Sequence, residues 1–230
     1  MRKLSIAMLA VVAGAMCFGD VTFELRFPKK EFKPRAKSTV AFKKFSCGPE
    51  NFVPGPDGGF AFQLSDKNEQ AKEYPGYNAV SNVPFAKGSF EICFKVLKRK
   101  PGTGVRLMHV YSPAKKTGDL LIYYCFVDPA GDMIFMIQVK KEQFKLRISK
   151  QEFKAEEFNT FKLTWNAKKM ACYLNGELIE DRPLPPEFAG VAAQERNWSN
   201  LDILRVYPQL RDSWKNRVAV ASLIFRDDDK

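Results

Sequence analysis

Between residues 88 and 97 polar and apolar side chains alternate without a break. Phe90, Ile92, Phe94 and Val96 fall on one face, and Glu91, Cys93, Lys95 and Leu97 on the other. A period of two is that of a strand with one buried face. Related extended patterns occur at 21–27, 39–45, 60–64, 105–111, 120–127, 133–140, 145–149, 161–165, 170–174, 201–207 and 218–226. Turn chemistry separates them. The stretch 48–59 is rich in Gly and Pro, Pro129-Ala130-Gly131-Asp132 makes a tight connection, and Asn175-Gly176 supplies the two positive-φ residues of a type I′ turn. A long polar loop, 65–77, leads into 78–83, and only 150–158 and 186–195 carry any helical pattern. Short strands spaced about ten residues apart predict an all-β chain, a two-sheet antiparallel β-sandwich of the jelly-roll kind.

The N-terminus follows a different pattern. Arg2 and Lys3 precede an apolar, uncharged run from 4 to 16, with small residues at Ala13-Gly14-Ala15. This reads as a cleaved export signal, 1–19, and not as a transmembrane helix, which needs about 20 apolar residues. Anchoring through a lipidated Cys17 is the weaker alternative, because the large Met16 precedes it. The reading places the product outside the cytoplasm, secreted, periplasmic or at the cell surface. Residues 20–230 then form a single domain, long enough for one sizeable core.

Charge and cysteines sharpen that picture. The formal charge of +11 falls to +9 once Arg2 and Lys3 leave with the signal. In an exported protein this points toward anionic glycans, acidic cell surfaces or extracellular DNA more than to intracellular nucleic acid, or simply to a solvated lysine-rich surface. Cys47, Cys93, Cys125 and Cys172 remain, an even number that an oxidising compartment would pair in one of three ways, unless the strand cysteines are buried thiols. No C-x-x-C occurs, and the single His109 completes no familiar zinc spacing.

One hairpin carries a resemblance. In 156–184, Phe161, Leu163 and Trp165 alternate with Lys162 and Thr164. A polar turn, Asn166-Ala167-Lys168-Lys169, follows, and then Tyr173-Leu174-Asn175-Gly176-Glu177-Leu178. This order resembles the signature hairpin of laminin-G-like domains in the concanavalin A-like lectin/glucanase superfamily. The strand opened by Gly88-Ser89-Phe90-Glu91, the pair at 120–138 and the closing strand at 218–227 resemble the same family, so that the match spans roughly 88–227. The resemblance implies a concanavalin A-like jelly roll concerned with glycans. Calcium at a rim, through Asp119, Asp128 and Asp132, is also what the family suggests, although Asp in hairpin turns more often serves the turn itself.

Catalytic chemistry finds little support. A glycosidase on this fold needs paired carboxylates projecting from one strand into one cleft. No E-x-D-x-E run exists, and Glu156-Glu157 and Glu180-Asp181 are adjacent pairs whose side chains diverge. A polysaccharide lyase would need a basic cleft and a proton-abstracting Tyr, His or Lys. Arg106, His109 and Tyr111 share one predicted strand, and Gln138-Val139-Lys140 resembles the Gln-Ile-His strand of alginate lyases with Lys in place of His. Aromatics that could stack on sugar rings are Tyr111, Tyr123, Tyr124, Trp198 and Trp214, whereas Trp165 shares the apolar face of its strand. Asn197-Trp198-Ser199 is a glycosylation acceptor in a eukaryotic host. The sequence therefore predicts a non-catalytic binding or adhesion module for carbohydrate, with Arg106, His109, Tyr111, Tyr124, Trp198 and Trp214 as ligand-binding candidates and no cofactor required. A uronate-directed lyase and a protein-binding module of a secreted assembly are the alternatives.

Overall fold

The computed structural model describes residues 20–43, 45–71, 73–78, 84, 86–98, 105–111, 121–128, 130–139, 142–152, 154, 156–188, 200–204 and 217–227. Sixteen strands run in chain order within these residues: β1 Asp20–Arg26, β2 Arg35–Ala36, β3 Ala41–Lys43, β4 Phe52–Pro54, β5 Phe60–Phe62, β6 Gly76–Asn78, β7 Gly88–Lys98, β8 Val105–Tyr111, β9 Leu121–Val127, β10 Met133–Val139, β11 Glu142–Ile148, β12 Asn159–Trp165, β13 Lys169–Leu174, β14 Glu177–Pro183, β15 Asn200–Ile203 and β16 Arg217–Asp227. They form two antiparallel sheets. Sheet A has the order β14-β13-β12-β7-β16-β1-β2, with the β4–β5 hairpin attached to β16. Sheet B has the order β11-β10-β9-β8-β15-β6-β3. The antiparallel β-sandwich expected from periodicity is the observed architecture.

The alternation on β7 explains how the layers meet. Phe90, Ile92 and Phe94 are fully buried between the sheets, while Glu91, Cys93 and Lys95 keep partial exposure on the outer face of sheet A. Neighbouring strands repeat the arrangement, so Phe161, Leu163 and Trp165 of β12 and Leu223 and Phe225 of β16 join the same core. Sheet B answers with Met108, Val110, Phe135, Ile137, Leu146 and Ile148. Rings cross the interface: Phe90 lies 6.0 Å from Phe135, Phe135 stacks on Phe161 at 6.1 Å and 24°, and Phe23 meets Tyr77 edge-on at 5.5 Å. Each such ring removes a large apolar area from water and gains pairing energy besides.

The turns follow their residues. Asn175 and Gly176 take φ of 51° and 92°, the left-handed pair that a type I′ hairpin demands. The Asn175 side chain also accepts the Thr160 N–H at 2.8 Å and so ties this turn to β12. Asn166 accepts the N–H groups of Lys168 and Lys169 through its Oδ1.

Some expectations need correction. The polar loop 65–77 contains a short helix, α1, at Asp66–Ala71, and the strand β6. Ser65 signals its start, since the hydroxyl accepts the Asn68 N–H as an N-cap does. Conversely, the described part of 150–158 is not helical but turns and extended chain, because Asn159 draws the Lys154 and Glu157 carbonyls to its amide. The segments 79–83, 189–195 and 205–207 lie outside the described residues.

Of the two alternatives for the cysteines, the described ones follow the free-thiol one. Cys47, Cys93 and Cys172 are free thiols. Cys172 packs in the inter-sheet core and Cys93 sits on the outer face, on β13 and β7 with β12 between them. Opposite faces of a sheet, two strand spacings apart, lie beyond the roughly 4.4–6.8 Å Cα separation that a disulfide requires. Cys125 lies outside the residues whose side chains are described.

Candidate functional site

On the outer face of sheet A small side chains occupy the middle of the sheet. Cys93 of β7, Thr160 of β12, and Ala221 and Ser222 of β16 form a floor of small side chains at the bottom of a groove. Two adjacent residues of one strand can share this floor because β16 carries a bulge there: Val220 pairs with Phe94 and Ser222 with Cys93, which leaves Ala221 as the extra residue. The same point marks a splay. β1 leaves β16 at the Arg26–Ser222 pair, a bridge joins Phe27 to Phe60, and β5 takes over the edge at Val220. Bulges beside sites re-aim side chains and open a sheet surface.

The resulting groove encloses about 400 Å³. Phe60 with Pro56 walls one side and Phe158 the other, while Arg26, Asp57 and Glu91 supply charge at the rim. The Phe60 wall depends on a close approach: the Gly55 N–H bonds to the Gly59 carbonyl at 2.9 Å, and a Cβ on Gly55 would stand 2.7 Å from the Phe60 backbone. Below it, Asn51 donates to Asn68 Oδ1 at 2.6 Å and to the Gln63 carbonyl at 3.0 Å, anchoring the β4–β5 hairpin through buried amides. Arg26 is held by Glu24 at 2.6 Å, and Lys95 lies over the Phe158 ring at 5.9 Å.

Burial pushes the Cys93 thiol above its ordinary range, an effect that Glu91 and Asp57 reinforce and that the Thr160 hydrogen bond and Arg26 oppose. Such a thiol stays neutral near pH 7 and is a poor nucleophile. The groove offers two carboxylates, one guanidinium, two hydroxyls and two aromatic walls. That set can accept and donate hydrogen bonds to a polyhydroxylated ligand while rings cover its apolar faces.

The candidates named from the sequence lie elsewhere. Arg106 and His109 are on β8, Tyr111 ends that strand, and Tyr124 pairs with His109 across the β8–β9 ladder. Plain alternation separates Arg106 from His109, yet a bulge between Arg106 and Met108 brings both to the outer face of sheet B. His109 is only 4 % exposed and pairs in register with Asp202, which is fully buried. Lys43 reaches Asp202 Oδ1 at 3.5 Å, and the facing Gly76 leaves room for that carboxylate. A proton-abstracting role would require His109 to reach a ligand from this enclosed position. Trp198 and Trp214 fall outside the described residues.

The calcium candidates are engaged as well. Asp128 accepts the Gly131 and Asp132 N–H groups at 2.8 and 3.0 Å, closing the β9–β10 turn. The Arg147 guanidinium then bridges Asp128 and Asp132 at 3.3 and 3.5 Å, placing positive charge where a cation would need it absent. Asp119 lies outside the described residues. Among the described residues no group of three His, Cys, Asp or Glu side chains could hold a metal, and no helix is long and apolar enough to cross a membrane.

The groove residues form no contiguous motif, because they come from five separate segments, and sequence reasoning misses them. Their one local signal is the small-residue run Ala219-Val220-Ala221-Ser222, over which Ala61 and Phe158 pack closely enough to bury Ala219 and Ala221.

No protein-family model and no curated protein matches the chain in sequence. Solved structures do resemble it. The binding domain of botulinum neurotoxin DC in complex with SialylT superposes with a TM-score of 0.59 at 12 % identity, over 90 % of this chain and 47 % of that one. The same binding domain in complex with rat synaptotagmin II gives 0.59 and 12 %, over 90 % and 48 %. A structure of botulinum neurotoxin type C, whose cell entry is described as dependent upon interaction with two ganglioside molecules, gives 0.62 and 12 %, over 90 % and 47 %. The chain spans about half the length of these structures, and at such identity the likeness is one of fold.

Proposed function

We propose that this chain is an exported carbohydrate-binding module of the laminin-G-like, concanavalin A-like kind, which holds a glycan in the groove on the outer face of sheet A. The observation that carries the reading is the combination of a small-residue floor with Phe60 and Phe158 walls and a rim of Arg26, Asp57 and Glu91. Sugars present hydroxyls at their edges and C–H faces between them, and this lining answers both. The names of the fold neighbours, a complex with SialylT and an interaction with gangliosides, lend support by analogy.

The groove also narrows the glycan class. Asp57 and Glu91 can accept the hydroxyls of a saccharide, while Arg26, with Lys95 and Lys30 over the Phe158 and Phe60 rings, balances their charge, so the groove suits a neutral or sparsely charged glycan. The basic residues between 29 and 43 that point toward anionic partners are not part of the groove's lining.

A glycan array followed by calorimetry on the leading hits tests this. Phe158→Ala and Glu91→Gln should each weaken binding about tenfold or more, with the fold unchanged by circular dichroism. Absence of any glycan ligand, or affinities indifferent to both substitutions, would sink the reading. One neighbour is a complex with synaptotagmin II, so capture of a defined protein partner in place of glycan would favour the protein-binding alternative.

A further inference from the structure

The positive charge of this protein is concentrated. Of nine charged residues between 26 and 44, eight are basic, and only Glu31 is acidic. The described ones from Lys29 to Lys43 are exposed. Phenylalanines interleave them, and the structure gathers these rings into a second groove, separate from the first, enclosing about 620 Å³. This lies within the roughly 300–1,000 Å³ of small-molecule sites.

Its lining is unlike that of the glycan groove. Phe32, Phe42 and Phe52 make an apolar bed, with Cys47, Gly48 and Pro49 beside it. Phe32 stacks on Phe42 at 5.6 Å and 18°, and meets Phe45 and Phe62 edge-on at 5.1 and 4.7 Å, so the bed is braced from below. Phe42 nevertheless remains 38 % exposed, which is unusual for a large ring in a packed cluster. The charged side chains in this lining are Lys30 and Lys33. Lys30 takes a left-handed φ of 56° and sets its ammonium 4.6 Å from the Phe60 centroid. A lysine in that backbone region is uncommon and marks a turn with a defined direction.

This surface cannot serve a sugar well. Among the described residues no carboxylate, carboxamide or hydroxyl side chain lines it, the nearest carboxylate being Glu50 beside Gly48 at one end, so a polyhydroxylated ring would lose water contacts and recover few. The complement it does present is an apolar body ending in an anion. We propose that the Lys30/Lys33–Phe32/Phe42/Phe52 groove is a second binding site, which takes a free amphiphilic carboxylate of the fatty-acid class. The chain or ring of the ligand lies on the three phenylalanines, and its carboxylate meets Lys33 and Lys30, whose ammonium swings from the Phe60 ring to reach it. The surrounding Lys29, Arg35, Lys37 and Lys43 raise the local concentration of anions and make association sensitive to salt.

Titrating the full chain with dodecanoate below its micellar concentration, by calorimetry, tests the assignment. Saturable one-to-one binding is expected, weakened about tenfold in Lys30→Ala/Lys33→Ala and by a similar factor in Phe42→Ala. Dodecyltrimethylammonium, with the same tail and opposite charge, should bind at least tenfold more weakly. Circular dichroism and thermal melts check that the variants fold, and glycan affinity at the first groove serves as an independent control for Phe42→Ala, since Lys30 lies over the Phe60 wall of that groove. The proposal fails if dodecanoate does not saturate, if the cationic amphiphile binds equally well, or if the substitutions change nothing. It also fails if phosphatidylglycerol vesicles capture the protein while free dodecanoate does not, which would make the basic face a bilayer contact.

Discussion

At Cys172 the environment sets the chemistry of a residue that sequence alone leaves open. The thiol is buried among inter-sheet side chains, and burial pushes its pKa up from 9.0 to about 11. Cys47 is exposed and Cys93 half-buried, so the three described thiols have graded access. A raised folded-state pKa means that the unfolded chain ionises first. The contribution of Cys172 to stability is therefore complete below about pH 9 and is lost as the pH rises toward 11. Alkylation at pH 8 followed by peptide mapping should label Cys47 first, Cys93 more slowly and Cys172 only after denaturant is added. A disulfide-linked peptide containing Cys93 or Cys172 would contradict the structure. Trp165 is the opposite case: its place on the Phe161–Leu163 face predicts burial, and it is 3 % exposed in the core.

Among elements, the hairpins show local residues choosing a backbone and the sheet confirming the choice. Asn175-Gly176 joins β13 to β14, and its side-chain bond to Thr160 N–H links the turn to the strand that floors the groove. A methyl group added at Gly176 would meet only open space, so substitution there is penalised by its φ of 92° alone. Gly176→Ala should therefore cost about 1–2 kcal/mol in denaturant melts without changing the cooperativity slope. A loss well above that would mean the turn is braced by more than its dihedrals. The bulges behave differently. Nothing in the spelling of Val218–Ser222 or Arg106–Met108 announces an extra residue, because a bulge is defined by the register of a neighbour. Two such bulges nonetheless decide which side chains reach the groove and that Arg106 joins the face of His109.

For the molecule as a whole, stability rests on rings that span the two sheets. Phe135 of sheet B contacts Phe90 and Phe161 of sheet A and is 1 % exposed. Phe135→Ala leaves a cavity between layers that cannot collapse independently, and should cost about 3–5 kcal/mol in equilibrium unfolding. A loss under about 1 kcal/mol would show that the sheets repack. The two grooves sit on either side of the β4–β5 hairpin, with Phe60 lining the first and Phe52 the second. They divide the polar and charged work: hydroxyl-directed groups in one, an apolar bed with lysines in the other.

Alternation, turn residues and strand length were legible in the sequence because each depends on neighbours one to four positions away. They were sufficient for a sandwich of short antiparallel strands, for β7 and its buried face, for the Trp165 core position and for the Asn-Gly turn. The short helix at Asp66–Ala71 was legible too, in the Ser65 cap, but the polar composition of the loop concealed it. What tertiary structure alone decided was which side chains face one another from distant segments. It separated Cys93 from Cys172 by a strand and a sheet face, enclosed His109 beside Asp202, and occupied the Asp128–Asp132 pair with Arg147. It also assembled a groove from Arg26, Asp57, Glu91, Phe158, Thr160 and Ser222. Strand formation is a short-range property of the chain. A binding surface depends instead on register, bulges and packing between residues as far as about 200 positions apart, and these exist only once the two sheets close on a common core.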